Sequence, residues 1–270
     1  MAIRVAVFVV GIALLLAAPL TQQNGVLKFS YTGATGPDKW GSLCPEFSAC
    51  SNGKLQSPVD IVTKDVVSNP KLQPLNREYG TSNSTLINHR YTIGLHYESD
   101  KVGRLIQDGK NYTLKQIHWH SPSEHTINGV RYPLELHLVH ISGDGSISVV
   151  GILYNYGNPD LLLIQLRNKI EQLATKGSKE DETFEFPIGH MGTKYFMRDS
   201  LKYYRYVGSL TTPPCTENVT WNVLDMVRQV SKDQVDALKA PLDVACKENS
   251  RPVQPLNGRK IELSDATNKI

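Results

Sequence analysis

The stretch Leu114–Ile141, LKQIHWHSPSEHTINGVRYPLELHLVHI, constrains the fold more than any other part of the chain. It holds five of the eight histidines, spaced along two apolar–polar alternations. Asn128-Gly129 is a strong turn signal, since both residues tolerate positive φ, and it lies between two extended runs, LKQIHWHS and YPLELHLVHI. Side chains at i and i+2 share one face of a strand. Gln116, His118 and His120 therefore point one way, with Ile117 and Trp119 opposite. On the second run Glu135, His137 and Val139 share a face, with Leu134, Leu136 and Leu138 opposite. The apolar set packs on a core, and the histidine faces converge if the strands pair.

Three imidazoles on neighbouring strands suit a divalent cation such as Zn2+, and three protein ligands leave a further coordination position open, as catalytic zinc sites do. Gln116 and Glu135, on the same faces, are placed to take the ring N–H groups that do not face the metal, which fixes the tautomers. A His-x-His pair alone is ordinary polar alternation. The third histidine in phase and the two polar companions favour a metal centre of His118, His120 and His137. His125 and His140 are out of phase and read as hydrogen-bonding residues of the scaffold.

Elsewhere short alternating or β-branched runs, such as TLINHRYTIGLHYES and ISVVGILYNYG, are punctuated by Gly, Pro, Asn and Asp, which describes a sheet-rich chain. One helix is expected from an Asn158 cap through Pro159, with Leu163, Leu166, Ile170 and Leu173 at helical spacing, to Lys176-Gly177. A second starts at Ser231, with Gln234 completing a capping box and Val235 and Leu238 facing inward. No repeat or linker divides the chain, so one domain over residues 25–270 is the simplest account.

Residues 1–24 have the layout of a secretory signal peptide: Arg4, then an apolar run from Val5 to Leu20, then small and polar residues. That run is short of the roughly 20 residues a bilayer demands, so no membrane span is expected after cleavage. The address is the secretory pathway, either outside the cell or in an organelle lumen reached through it. Such an oxidising route makes Cys44, Cys50, Cys215 and Cys246 disulfide candidates with three possible full pairings. Asn83, Asn111 and Asn218 open glycosylation sequons. With 29 basic and 26 acidic residues dispersed along the chain, there is no nucleic-acid footprint and no polybasic membrane patch.

The segment QIHWHSPSEHT…ELHLVH resembles the zinc-binding segment of the alpha-class carbonic anhydrases, in particular the secreted plant-type members. The resemblance continues in YTGATGPDKWG, QSPVDI, GSLTTPPCTENVTW and NSRPVQPLNGR, in the family's order. It implies reversible hydration of CO2 to bicarbonate and a proton by zinc-bound hydroxide, with His118, His120 and His137 as ligands. Gln116, Glu135 and the Asn249 carbonyl would orient those ligands, and Thr211 and Glu124 would orient the hydroxide. Glu124, when ionised, only accepts hydrogen bonds, so a Thr211 hydroxyl facing it donates there and is left to accept from the nucleophile. Val139, Val149, Leu210 and Trp221 would form the apolar CO2 wall, Thr212 would face substrate, and Tyr31 would hold active-site water. The resemblance also pairs Cys50 with Cys215 and leaves Cys44 and Cys246 over. The implied fold is mainly β (α+β): a large twisted, mostly antiparallel central sheet of about ten strands with short peripheral helices.

One departure bears on rate. Fast members pass the proton through a histidine on the strand matching NHRYTIGLHY. With Ile93, Leu95 and Tyr97 in the apolar phase, Tyr91 takes that position and Arg90 stands where the family usually has Gly. A phenol with pKa near 10 relays protons poorly at neutral pH. His89, expected on the same strand face as Tyr91, is the available substitute. CO2 capture is expected to be retained, with turnover limited by proton transfer. The rival expectation is a catalytically weak or silent family member that serves as a storage or binding protein.

Overall fold

The computed structural model describes residues 29–97, 99, 102–176, 184–192 and 201–267. The expected signal peptide and Gly177 lie outside them. Among the described residues the main sheet has 13 strands, and along its principal path the order is Phe184–Gly192, Thr81–Asn88, Ile93–Tyr97, Lys110–His120, Leu134–Ser142, Ile147–Tyr156, Glu217–Leu224, Lys202–Ser209, Glu262–Asp265 and Val67–Ser68. Asn76–Tyr79, Gly103–Gln107 and Arg228–Val230 pair off this path.

The sheet is larger than the expected ten strands, and it is mixed. Ile147–Tyr156 runs parallel to both Glu217–Leu224 and Arg228–Val230, and Glu262–Asp265 runs parallel to Val67–Ser68. Parallel neighbours need a long crossover, and here the helix Leu161–Lys176 is part of it. Val67–Ser68 and Arg228–Val230 are too short to show an alternation in sequence.

The two strands of the histidine stretch pair antiparallel, with His118 opposite His137 and His120 opposite Glu135. Asn128 and Gly129, at φ 51° and 77°, turn a small ribbon of Thr126–Ile127 and Val130–Arg131 rather than the long strands themselves. One face of the sheet buries Ile117, Trp119, Leu134, Leu136 and Leu138 against Leu162, Leu166 and Ile170 of the helix. Each such side chain contributes about 1.5–3 kcal/mol on burial. The other face buries Val139, Val149, Val219 and Trp221. The alternation between Gln116 and His120 is thus what lifts the imidazoles off the helix-packed core.

The long helix begins two residues later than expected. Its cap is Asp160, whose Oδ1 accepts from the N–H groups of Leu162 and Leu163 at 2.9 and 3.2 Å. Asn158 instead bonds Gln229, while Arg228 neutralises Asp160 at 2.7 Å. These tertiary partners hold Asp160, rather than the expected Asn158, at the helix start. The second helix, Lys232–Lys239, has the expected Ser231–Gln234 capping box and buries Val235 and Leu238.

Ile93, Leu95 and Tyr97 face the core, as their phase predicts. His89 and Tyr91, by contrast, are not on a strand. Residues 89–92 form the turn between Thr81–Asn88 and Ile93–Tyr97, closed by His89 N–H donating to Thr92 O at 3.0 Å. Arg90 takes φ 71° there. That left-handed value favours glycine and explains why a Gly suits this position. An ion pair to Asp243 at 2.9 Å and the Asn88 side chain, which accepts from Arg90 N–H, hold the arginine in it.

Candidate metal centre

The sheet lays out the site in rows of register partners. His118 on Lys110–His120 is flanked by Gly94 on one side and His137 on the other, and His137 faces Gly151. In the neighbouring row Gln116, Val139, Val149 and Trp221 stand side by side on four successive strands. The three imidazoles have ring centroids 4.7–5.1 Å apart. One nitrogen of each lies within 4.8 Å of the others, so the group could hold a metal ion.

Each ring is fixed through its remaining nitrogen. His118 Nδ1 meets Gln116 Oε1 at 2.8 Å, His120 Nδ1 meets Asn249 O at 2.6 Å, and His137 Nε2 meets Glu135 Oε1 at 2.8 Å. All three partners are acceptors, so these ring nitrogens carry the proton and the opposite ones keep lone pairs. His120 Nε2 is buried with no hydrogen-bond partner, which is the state expected of a ligand atom awaiting a cation. Burial lowers all three pKa values, His120 to about 4, so the rings are neutral at physiological pH, as metal ligation requires. The residues present fit a borderline divalent ion with nitrogen ligands.

Glu135 is the anchor beneath the site. Its Oε1 accepts from His137 and from His125 Nδ1, and its Oε2 accepts from the backbone N–H groups of Glu124 and His125, all at 2.7–2.8 Å. Burial alone would raise its pKa, but His125 and His137 outweigh that and hold the carboxyl well below the usual range. His125, Glu135 and His137 form a second cluster of donors close enough for a metal. Both nitrogens of His125 are already used, however, since Nε2 meets Tyr206 Oη at 2.7 Å. His140 likewise bonds Tyr79 Oη and Ser148 O. Both histidines are scaffold: His140 is out of phase on its strand, whereas His125 lies in the loop between Lys110–His120 and Thr126–Ile127 and is held there by its two ring partners.

Glu124 is fully buried, and its Oε1 accepts from Arg251 N–H at 3.0 Å. Its pKa is raised to about 7 by burial, against lowering by His137, the Arg251 N–H and the Thr211 hydroxyl. Oε2 meets no donor in good hydrogen-bond geometry, although Thr211 interacts with the same carboxyl. The loop carrying Thr211 is anchored on both sides. Leu210 N–H donates to Thr216 O, Trp221 Nε1 donates to Ser209 O at 2.9 Å, and a Cys50–Cys215 disulfide ties the loop to the short helix Ala49–Asn52. Cys44 and Cys246 are not part of that bridge.

Val139, Val149 and Trp221 are buried in one apolar cluster with Leu210 packed against it, and the Trp221 ring lies 4.7 Å from His137. Thr212 is half-buried in the same loop. Tyr31 is buried with an unpartnered hydroxyl, whose pKa is raised chiefly by burial and further by the Glu124 carboxyl. Tyr91 packs on Phe29 at 4.9 Å, and burial pushes its hydroxyl up to about 12. The sequon residues Asn83, Asn111 and Asn218 are exposed.

Three residues that position this site, Arg251, Tyr206 and Asn249, carry no local signal. Arg251, buried, donates to Gln56 Oε1, Ser57 O and Cys50 O and so joins its own segment to residues 50–57. Tyr206 closes the Glu135–His125 chain. The Asn249 side chain donates to Tyr91 O and Trp119 O and accepts from Ser121 N–H, fixing the backbone whose carbonyl holds His120. His96 stands opposite Gln116. The segment NSRPVQPLNGR contains Asn249 and Arg251, but only the contacts made at long sequence distance reveal what they do.

Residues 35–265 match the family model described as eukaryotic-type carbonic anhydrase. Alpha carbonic anhydrase 7 of Arabidopsis thaliana is 44% identical over 228 residues, covering 84% of this chain and 81% of that protein. Among solved structures, dioscorin complexed with ascorbate superposes with a TM-score of 0.83 at 36% identity, covering 88% of this chain and 98% of that one. The alpha-carbonic anhydrase of Thermovibrio ammonificans, in complex with sulfanilamide, does so with 0.75 at 35% identity, covering 87% and 98%. The histidine-bearing sheet and this extended likeness lead to one conclusion: the chain belongs to the alpha, eukaryotic-type, carbonic anhydrase family.

Proposed function

We propose that the chain hydrates CO2 reversibly to bicarbonate and a proton, using a zinc ion held by His118, His120 and His137. The observation that carries this is the trio of neutral, tautomer-fixed imidazoles with the buried, unpartnered Nε2 of His120. A zinc ion there supplies Lewis acidity that lowers the pKa of a coordinated water to about 7.

The chain's own residues then direct the chemistry. Thr211 donates its hydroxyl proton to ionised Glu124 and uses its oxygen to accept from the nucleophile, which turns the attacking lone pair toward substrate. Arg251 N–H and the Glu135 acceptors hold Glu124 in place for that task. Val139, Val149, Leu210 and Trp221 offer CO2 an apolar wall, and Thr212 faces the product. Gln116, Glu135 and Asn249 keep the ligand rings oriented. Tyr31 holds water beside Glu124. Tyr91, with its raised pKa, leaves turnover limited by proton transfer, and His89 is the nearby imidazole.

The same reading includes a cleaved signal peptide at 1–24, a single domain over 25–270, passage through the secretory pathway and glycans on Asn83, Asn111 and Asn218. A weak or silent storage or binding protein is the second reading, and its binding form is supported by the likeness to dioscorin, whose solved structure is a complex with ascorbate. The intact three-histidine cluster with Thr211 and Glu124 favours the enzyme. Zinc analysis of the purified protein separates them: about one zinc per chain supports the enzyme, and a far lower content supports the alternative.

A further inference from the structure

Hydration releases a proton that must leave a largely buried site, and Tyr91 does not titrate near neutral pH. Beside it two imidazoles face each other. His89 Nε2 and His96 Nε2 are 3.0 Å apart, with ring centroids 5.0 Å apart, and both residues are partly exposed. His96 stands opposite Gln116, the residue that holds His118, while His89 stacks on Tyr91 at 5.9 Å. A Cβ placed on Gly94 would lie 3.6 Å from His118 Cβ and 3.9 Å from His96 Cδ2, so His96 borders the candidate metal centre on the same sheet face, and both rings of the pair are partly exposed.

We propose that His89 and His96 together carry the proton from the candidate metal centre to solvent. The proposal rests on the carbonic anhydrase reading and adds His96 to it. In the neutral pair one Nε2–H donates and the other Nε2 accepts, so one proton occupies the gap. An incoming proton binds Nδ1 of the donor ring, that ring passes its Nε2 proton across the 3.0 Å gap, and the second ring releases its own Nδ1 proton to buffer. One proton enters and one leaves. Both rings finish neutral with their tautomers exchanged, and exchange with water restores them. Burial lowers His89 to about 3 and lowers His96 too, so the pair is seldom charged and conducts slowly. The route therefore sets the small, buffer-independent part of turnover.

The test uses the full zinc-loaded chain with His96→Gln and His89→Gln, followed by stopped-flow CO2 hydration across imidazole concentration. The expected result is a low-buffer kcat reduced about tenfold in either variant and no further in the double variant. Zinc content, kcat/KM and the rate at saturating imidazole should hold. Nitrogen-15 imidazole spectra should show one protonated and one bare Nε2 in the pair, with the His89 signal shifting in H96Q. A low-buffer kcat unchanged in H96Q, a parallel fall in kcat/KM, or two protonated Nε2 atoms would overturn the relay. Absence of hydration in the unsubstituted chain at every buffer concentration would overturn the carbonic anhydrase reading and the relay with it.

Discussion

Glu135 Oε1 accepts from His137 Nε2 at 2.8 Å along one strand face, and this contact decides which nitrogen of His137 is left for a metal. With Nε2 protonated, Nδ1 carries the lone pair. The same oxygen also takes His125, so Glu135 must remain a carboxylate to serve both rings.

Replacing Glu135 with Gln leaves only one carbonyl oxygen for four donors. The expected outcome is a 10- to 100-fold loss of zinc affinity, of the order seen when a ligand's orienting partner is removed. Competition against a chromophoric chelator measures it. An unchanged affinity would mean that the carboxylate does not orient His137.

Thr211→Ala removes the hydroxyl facing Glu124 without altering the candidate ligands. Zinc content should stay near that of the unsubstituted chain, while kcat/KM for CO2 falls about 100-fold, the scale for losing one preorganised polar group at a reacting centre. Equal kcat/KM in the two proteins would remove Thr211 from the mechanism.

The Cys50–Cys215 bridge joins residues 165 apart in sequence and closes over the Thr211 loop. Substituting both with Ser should cost about 2–5 kcal/mol of stability, chiefly by freeing the unfolded chain. Denaturant unfolding gives the value, and a loss under about 1 kcal/mol would contradict the prediction.

Acid should destabilise the fold through buried histidines outside the metal cluster. His140 is buried against Tyr79, and burial lowers it from 6.5 to about 3. Its folded pKa lies below the unfolded one, so the unfolded chain binds the proton more readily. The stability this neutral ring contributes is complete above about pH 6.5 and is lost as pH falls toward 3. Unfolding midpoints measured across that window should decline, and His140→Gln should flatten the decline. An identical slope in the variant would assign the acid sensitivity elsewhere.

Much of the centre is legible in the sequence because a strand has a period of two. Gln116, His118 and His120 fall on one face by alternation alone, and the structure places Ile117 and Trp119 in the opposite core. The helix from Ser231 is legible because its capping box is local. Other features depend on distant partners. Asp160 rather than Asn158 caps the long helix because Arg228 and Gln234 reach it. The turn at 89–92 reads as strand because His89 and Tyr91 suit either conformation, and Asp243 holds Arg90 there from far along the chain. The roles of Arg251, Tyr206 and His96 follow from contacts made across the fold, which no periodicity reports. The family resemblance supplied the roles of Thr211 and Glu124, whose residue types would otherwise pass as loop polarity.

Whether zinc in this site hydrates CO2 is decided by stopped-flow measurement on the purified chain, with zinc counted in the same sample and a sulfonamide added as inhibitor. About one zinc per chain is expected, with hydration far above the uncatalysed rate that rises with imidazole buffer and is lost on adding the sulfonamide. A chain that retains its fold, binds no zinc and leaves the hydration rate at the uncatalysed level would contradict the carbonic anhydrase reading.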